Sequence, residues 1–334
     1  MRLKLLPVLL LALMSSATLS AQRNLSSFMV VGYYPIEDVL KVDTAKVQFN
    51  GLTHLMLAFI NPDSIGNFHE NFDALNPFVK AAHARKIKVL YSIGGGAYQG
   101  QYHRLLRDDK RQDLIKKLVD KTVQYDVDGI DVDLESGYAF GSNLDPNYGV
   151  FIKELARALK AKNKLITVAL PSQPGNVVTQ DVLSQFDFIN IMSYDHTGPW
   201  SPDRQENHAS YSDAMDDVNY YINTLKVPRE KLVLGVPFYG HGFGPQLNDP
   251  VIPWMSYKDI VAAFPGAEWL DHWHFPNGYI MYYNGITTIK NKTNYAIKNI
   301  AGIMIWELAY DAPGRQSLLG AINQAIYAAK QAQK

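Results

Sequence analysis

The chain has 334 residues, 47% of them hydrophobic, with no cysteine and with 32 basic residues balanced by 32 acidic ones. A formal net charge of zero argues against nucleic acid or an anionic surface as partner, and the lack of cysteine excludes a disulfide framework and a lipid-anchored cysteine. With 20 Tyr and 5 Trp, a neutral and partly apolar ligand such as a sugar fits better, although many such rings simply fill a core.

The chain opens Met1-Arg2-Leu3-Lys4, runs apolar from Leu5 to Met14, and continues through Ser15, Ser16 and Ala17 to Ala21. A basic start, a short apolar run and a small-residue exit describe a secretory signal peptide over residues 1–21, cleaved after Ala17 or Ala21. The apolar run falls short of the ~20 residues of a membrane-spanning helix, so the expectation is a secreted or periplasmic protein with no membrane span. A buried N-terminal strand is the competing reading. The remaining chain, about 310 residues, can bury a large core without disulfides.

Eight short apolar runs follow, at 29–34, 54–60, 88–92, 127–135, 165–170, 186–192, 231–237 and 302–306. Helical patterns lie between most of them. The segment 105–125 is read with Leu114, Leu118 and Val123 on one face, and 148–159, 213–225 and 318–329 behave alike. Strands mostly alternating with helices predict an α/β fold, a (β/α)₈ TIM barrel. An open doubly wound sheet is the competing choice, weakened because no glycine-rich phosphate fingerprint follows the first run. No linker interrupts residues 26–331, so they read as one catalytic domain. Extra material at about 241–284 separates the seventh and eighth runs as a small insertion beside the active face. It holds Trp254, Trp269 and Trp273, which are expected to form one wall of a cleft.

The fourth run reads Val127-Asp128-Gly129-Ile130-Asp131-Val132-Asp133-Leu134-Glu135. Side chains alternate faces along a strand. Ile130, Val132 and Leu134 therefore share one face, toward the helices, while Asp131, Asp133 and Glu135 share the other, toward the barrel axis. Asp128 has the opposite parity and is placed at the strand entrance. Same-face neighbours lie roughly 6.6 Å apart, so Glu135 stands about 13 Å above Asp131, at the C-terminal end where barrel enzymes carry their chemistry. Like charge and desolvation both raise a carboxyl pKa, so the row can hold a proton and deliver it through Glu135 near neutral pH. A solvated acidic face is disfavoured by the alternation with Ile, Val and Leu. A hard-cation site is disfavoured because its oxygens would surround the ion rather than line up.

The pattern Asp128-x-x-Asp131-x-Asp133-x-Glu135 resembles the signature of glycoside hydrolase family 18, the chitinases and their relatives. Ser92-Ile93-Gly94-Gly95 is similar to the family's second signature, and Met192-Ser193-Tyr194-Asp195 stands where the family carries Met-x-Tyr-Asp. Gly32-Tyr33-Tyr34, Ala58-Phe59, Gly235-Val236-Pro237-Phe238-Tyr239-Gly240 and Trp306 also match, so the resemblance runs in order over nearly the whole chain after the signal.

The resemblance implies substrate-assisted retaining hydrolysis, in which the substrate's own N-acetyl carbonyl attacks the anomeric carbon. It makes Glu135 the acid and has Asp133 hold the acetamido N–H and stabilise an oxazolinium. Asp131 sits beneath Asp133, and Tyr194 donates its hydroxyl to the acetamido oxygen. Trp306 becomes the floor under the sugar, with Met192, Asp195, Tyr33, Phe59 and Tyr239 lining the same subsite. Ser92, Gly94 and Gly95 are placed near Asp131. No cofactor and no metal are implied, the partner is chitin or another GlcNAc-containing oligosaccharide, and a monomer is the default.

Three departures stand out. Leu134 replaces a common Trp, Ser136-Gly137 replaces Tyr-Pro, and His241 replaces a common arginine. The insertion is shorter than that of deep-cleft chitinases, which predicts a shallower groove. The alternatives to chitin hydrolysis are an endo-β-N-acetylglucosaminidase acting on N-glycan cores and a chitinase-like lectin that binds without cutting. Met192 with Tyr194 and Asp195 favours the chitinase branch, and the presence of Glu135 disfavours the lectin.

Overall fold

A computed structural model describes residues 25–41, 47, 49–97, 100–135, 145–172, 178–245 and 254–334. The signal segment, Ser136-Gly137 and residues 246–253 of the insertion lie outside the described residues.

All eight apolar runs fold as strands: β1 (Met29–Pro35), β2 (His54–Ala58), β3 (Lys88–Gly95), β4 (Gly129–Leu134), β5 (Leu165–Pro171), β6 (Phe188–Met192), β7 (Leu232–Pro237) and, after the insertion, β12 (Gly302–Trp306). They close as a parallel barrel in the order β1-β12-β7-β6-β5-β4-β3-β2, with helices between strands as in the (β/α)₈ TIM barrel. The insertion supplies β8 (Tyr239–Phe243), β9 (Met255–Ser256), β10 (His272–His274) and β11 (Ile280–Tyr282), a separate sheet ordered β10-β11-β8-β9.

The period-two alternation sorts each strand cleanly. Val30, Leu55, Leu57, Val89, Ile93, Ile130, Val132, Leu134, Ile166, Val168, Ile189, Leu234 and Ile303 point outward and join one apolar cluster with the helices. Each such side chain taken fully out of water contributes about 1.5–3 kcal/mol. Val31, Tyr33, Met56, Leu90, Ala169, Phe188, Val233 and Met304 point inward and form a second, smaller cluster. The polar side chains Ser92, Asp131, Thr167 and Asn190 are also fully buried.

The helix Asp108–Gln124 has two acidic residues in its first turn, where they complement the helix dipole. It buries Leu114, Ile115, Leu118, Val119 and Thr122. The expected sharing of that face by Val123 fails: it is 49% exposed. Nine positions from Leu114 is about two and a half turns, which lands on the opposite side. The other expected helices are found at Tyr148–Lys160, Tyr211–Asn223 and Leu318–Ala332. Ser210 opens the second of these with a capping box, its hydroxyl accepting from Asp213 N–H while Asp213 accepts from Ser210 N–H.

The three insertion tryptophans do not form a common wall. Trp273 stacks on Phe264 at 4.9 Å between ring centroids. Trp269 lines a separate groove with Ile286, Lys290 and Arg315. Trp254 alone approaches the barrel mouth, with ring contacts to Tyr239 and Tyr310.

Candidate active site

Strand register decides what surrounds the acidic row. Between β3 and β4, Ser92 lies beside Asp131 and Gly94 beside Asp133; between β4 and β5, Asp131 lies beside Thr167. Three hydroxyls therefore converge on Asp131. Ser92 Oγ and Tyr33 Oη each donate to Oδ2 at 2.7 Å, and Thr167 Oγ1 donates to Oδ1 at 2.6 Å. Asn190 Nδ2 donates to the Tyr33 hydroxyl at 3.2 Å from across the barrel. Burial raises the Asp131 pKa, and the three hydroxyl donors oppose the rise.

Asp133 is 2% exposed, and its Oδ1 has no hydrogen-bond partner among the described residues. Burial raises its pKa well above the carboxylate range, and the charges of Glu135 and Asp131 add to the rise. Glu135 follows the last residue of β4. Burial, with a contribution from Asp195, pushes its pKa up to about 7. The Glu135 charge thus opposes ionisation of its neighbour Asp133.

Above this row lies a cavity of about 330 Å³ lined by Asp133, Glu135, Met192, Tyr194, Asp195, Tyr239 and Trp306, with Gly96, Pro171 and Ser172 completing it. That volume is at the small end of the range for ligand pockets. Burial and the nearby carboxylates raise the Tyr194 and Tyr239 pKa values well above 10, so both phenols stay protonated and can donate. The Tyr239 hydroxyl donates to Asp195 Oδ1 at 2.6 Å.

The other residues named from the sequence stand behind that lining. Tyr33 packs against Trp306 at 5.4 Å between centroids, and Phe59 stacks on Trp306 at 5.7 Å and 26°. Ser92 lies deeper, on Asp131. Gly94 and Gly95 have φ of +105° and +96°. A Cβ on Gly94 would lie 2.1 Å from the Asp133 carbonyl oxygen, and one on Gly95 would lie 2.6 Å from the Phe59 ring. Asp128 is at the opposite end of β4, accepting from His83 Nε2 at 2.9 Å and from Val89 N–H at 2.8 Å.

Several supporting residues were not singled out from the sequence. Thr167 had a usable signal, since it falls on the inward parity of its run with Ala169. Asn61 brackets Gly94, accepting from its N–H at 2.8 Å and donating Nδ2 to its carbonyl at 2.9 Å. His208 lies 0% exposed beneath Asp195, and no local pattern marks it. The expected groove depth depends on residues 136–144, 173–177 and 246–253, which lie outside the described residues.

The model of glycosyl hydrolases family 18 matches residues 29–311. A chitinase-like effector of Moniliophthora roreri is 31% identical over 301 residues, covering 83% of this chain and 72% of its own length. The GH18 chitinase ChiB from the chitin utilization locus of Flavobacterium johnsoniae superposes with a TM-score of 0.78 at 33% identity, covering 90% of this chain and 94% of that one. A chitinase from Bacteroides thetaiotaomicron gives 0.76 at 28% identity, covering 90% and 96%.

Proposed function

Because the chain belongs to glycosyl hydrolases family 18, we propose that it is an exported chitinase, cutting β-1,4 bonds of N-acetylglucosamine polymers by substrate-assisted retaining catalysis. The observation that carries this reading is the pairing of Glu135, at a pKa of about 7, with a buried Asp133 whose Oδ1 faces no protein donor among the described residues. A carboxyl that keeps its proton near neutral pH is suited to general acid catalysis. An unpartnered carboxylate oxygen beside it is suited to a substrate N–H.

In the first step Glu135 gives its proton to the glycosidic oxygen, and the anomeric C–O bond breaks. The acetamido carbonyl oxygen attacks the anomeric carbon and forms an oxazolinium, with Asp133 accepting the acetamido N–H and balancing the new positive charge. The neutral Tyr194 phenol directs the acetamido oxygen. Water then opens the ring as Glu135, now ionised, takes up its proton. Configuration is retained because the anomeric carbon is attacked twice. Asp131 sits beneath with its three hydroxyl donors and sets the charge that Asp133 carries. Trp306, held by Tyr33 and Phe59, gives the sugar an apolar floor. Residues 1–21 direct export, and the chain acts as a monomer.

The test is to incubate the mature protein with chitin oligomers and, separately, with a high-mannose glycoprotein. Release of shorter chito-oligosaccharides from the first and nothing from the second is expected. Glycan release alone would move the assignment to an endo-β-N-acetylglucosaminidase, and binding without release would make the protein a lectin.

A further inference from the structure

We propose that Asp195, His208 and His241 form a binding site for one divalent first-row cation of the zinc type, opening into the sugar cavity. The three come from different parts of the chain. Asp195 follows β6, His208 precedes the helix Tyr211–Asn223, and His241 lies on β8. Their donor atoms all lie within 4.8 Å of one another. His241 Nε2 is 2.9 Å from Asp195 Oδ1 and His208 Nδ1 is 3.1 Å from it. Tetrahedral coordination with bonds of 2.0–2.2 Å needs ligand atoms about 3.3 Å apart, so small side-chain shifts suffice.

The rings are held in place before any ion arrives. His208 and His241 pack edge to face at 4.7 Å between centroids, Tyr239 packs against both, and Trp200 covers His241 at 5.2 Å. The far nitrogens, His208 Nε2 and His241 Nδ1, have no hydrogen-bond partner among the described residues. With the near nitrogens on a cation, each ring carries its proton on the far nitrogen, a buried N–H without an acceptor among the described residues, and the metal–ligand bonds must offset that cost. The near nitrogens give up only contacts around Asp195: its Oδ1, and its N–H, which reaches His208 Nδ1 at 3.3 Å.

Two imidazoles and one carboxylate suit zinc, cobalt, nickel or copper and not magnesium or calcium, which take oxygen ligands. Asp195 lines the cavity, so a fourth position is left toward the sugar. An ion there takes Asp195 Oδ1 from Tyr239 and obstructs the subsite. That inhibition rests on the hydrolase reading above; binding of the cation does not.

The experiment is a cobalt(II) titration of the full mature chain, followed by visible absorption, with zinc(II) displacement measured by calorimetry. One equivalent should bind. H241Q should weaken binding by at least about 100-fold, since even the loss of an outer partner of a ligand costs 10–100-fold. H272A/H274A removes the exposed histidine pair of β10, whose rings lie 5.1 Å apart, and should leave binding unchanged. X-ray absorption of the wild-type cobalt complex should show two imidazole ligands, a readout that needs no variant to fold. Absence of stoichiometric binding, an all-oxygen shell, or loss of binding in H272A/H274A with retention in H241Q would overturn the site. Zinc should also depress hydrolysis of chitin oligomers, and a chelator should restore it. If no hydrolysis is found at all, the absorption titration still decides on the cation.

Discussion

The two faces of the barrel wall are built by opposite rules. Outside, Ile130, Val132 and Leu134 enter an apolar cluster continuous with the helices, and no polar atom of β4 has to be accommodated there except the backbone. Inside, one residue along in each case, Asp131, Asp133 and Glu135 replace that packing with charge, and the apolar cluster around them is small. The same strand thus contributes apolar packing through one face and the acidic wall of the cavity through the other. Substitutions on the two faces should separate turnover from stability.

The sharpest separation comes from Glu135→Gln. It keeps shape and removes the proton, so hydrolysis of chitin oligomers should fall by about 10²–10⁴, while oligosaccharide binding, measured by calorimetry, persists. In the proposed mechanism Glu135 must be protonated to act. Activity should therefore fall as pH rises through about 7. The linkage to stability has the same sign: a carboxyl whose pKa is raised on folding favours the folded state below its unfolded value, and this is lost as pH rises through the folded one. Glu135→Gln should flatten that part of the urea-denaturation profile. A variant with wild-type turnover would remove Glu135 from the mechanism.

Next in size is Ile130→Ala on the outer face. Loss of a buried isoleucine costs about 2–5 kcal/mol, to be read as a lower urea midpoint. Turnover per folded molecule, assayed well below the unfolding transition, should stay within about threefold, because Ile130 touches the helices and not the cavity. A turnover loss as large as that of Glu135→Gln would show that the faces are not independent.

The smallest expected effect is that of Tyr33→Phe. It removes one of three donors to Asp131 and the acceptor of Asn190, a loss of about 1.5–3 kcal/mol for a hydrogen bond to a charged group. The donors hold the Asp131 pKa down against burial, so their loss raises it, and the acidic limb of the activity profile should move to higher pH. An unmoved profile would mean that Asp131 does not set the charge of its neighbour.

The fold was legible because each apolar run has one period and a length that fits a single strand, and because the parity of the fourth run alone separates Asp131, Asp133 and Glu135 from Ile130, Val132 and Leu134. Partners across strands were harder. Tyr33, Ser92 and Thr167 lie 98, 39 and 36 residues from Asp131, and what joins them is inter-strand register, which closure of the barrel determines. Ser92 and Tyr33 entered only through resemblance, while Thr167 could have been found by parity. Trp254, Trp269 and Trp273 misled because a short insertion has its own apolar needs: Trp273 meets them on Phe264, and composition cannot say which ring is left for a ligand. His208 carries no periodic signal, and its place under Asp195 follows from the path of the loop after β6.

The backbone of β3 beside Asp133 has a consequence on a longer timescale. Every side chain larger than hydrogen at position 94 meets a carbonyl oxygen at 2.1 Å, and position 95 is closed by an aromatic ring at 2.6 Å. A side chain at either of these adjacent positions is therefore strained, and substitution is easier around them. Variation in the cavity is therefore expected elsewhere along its lining, while the wall beside Asp133 is kept.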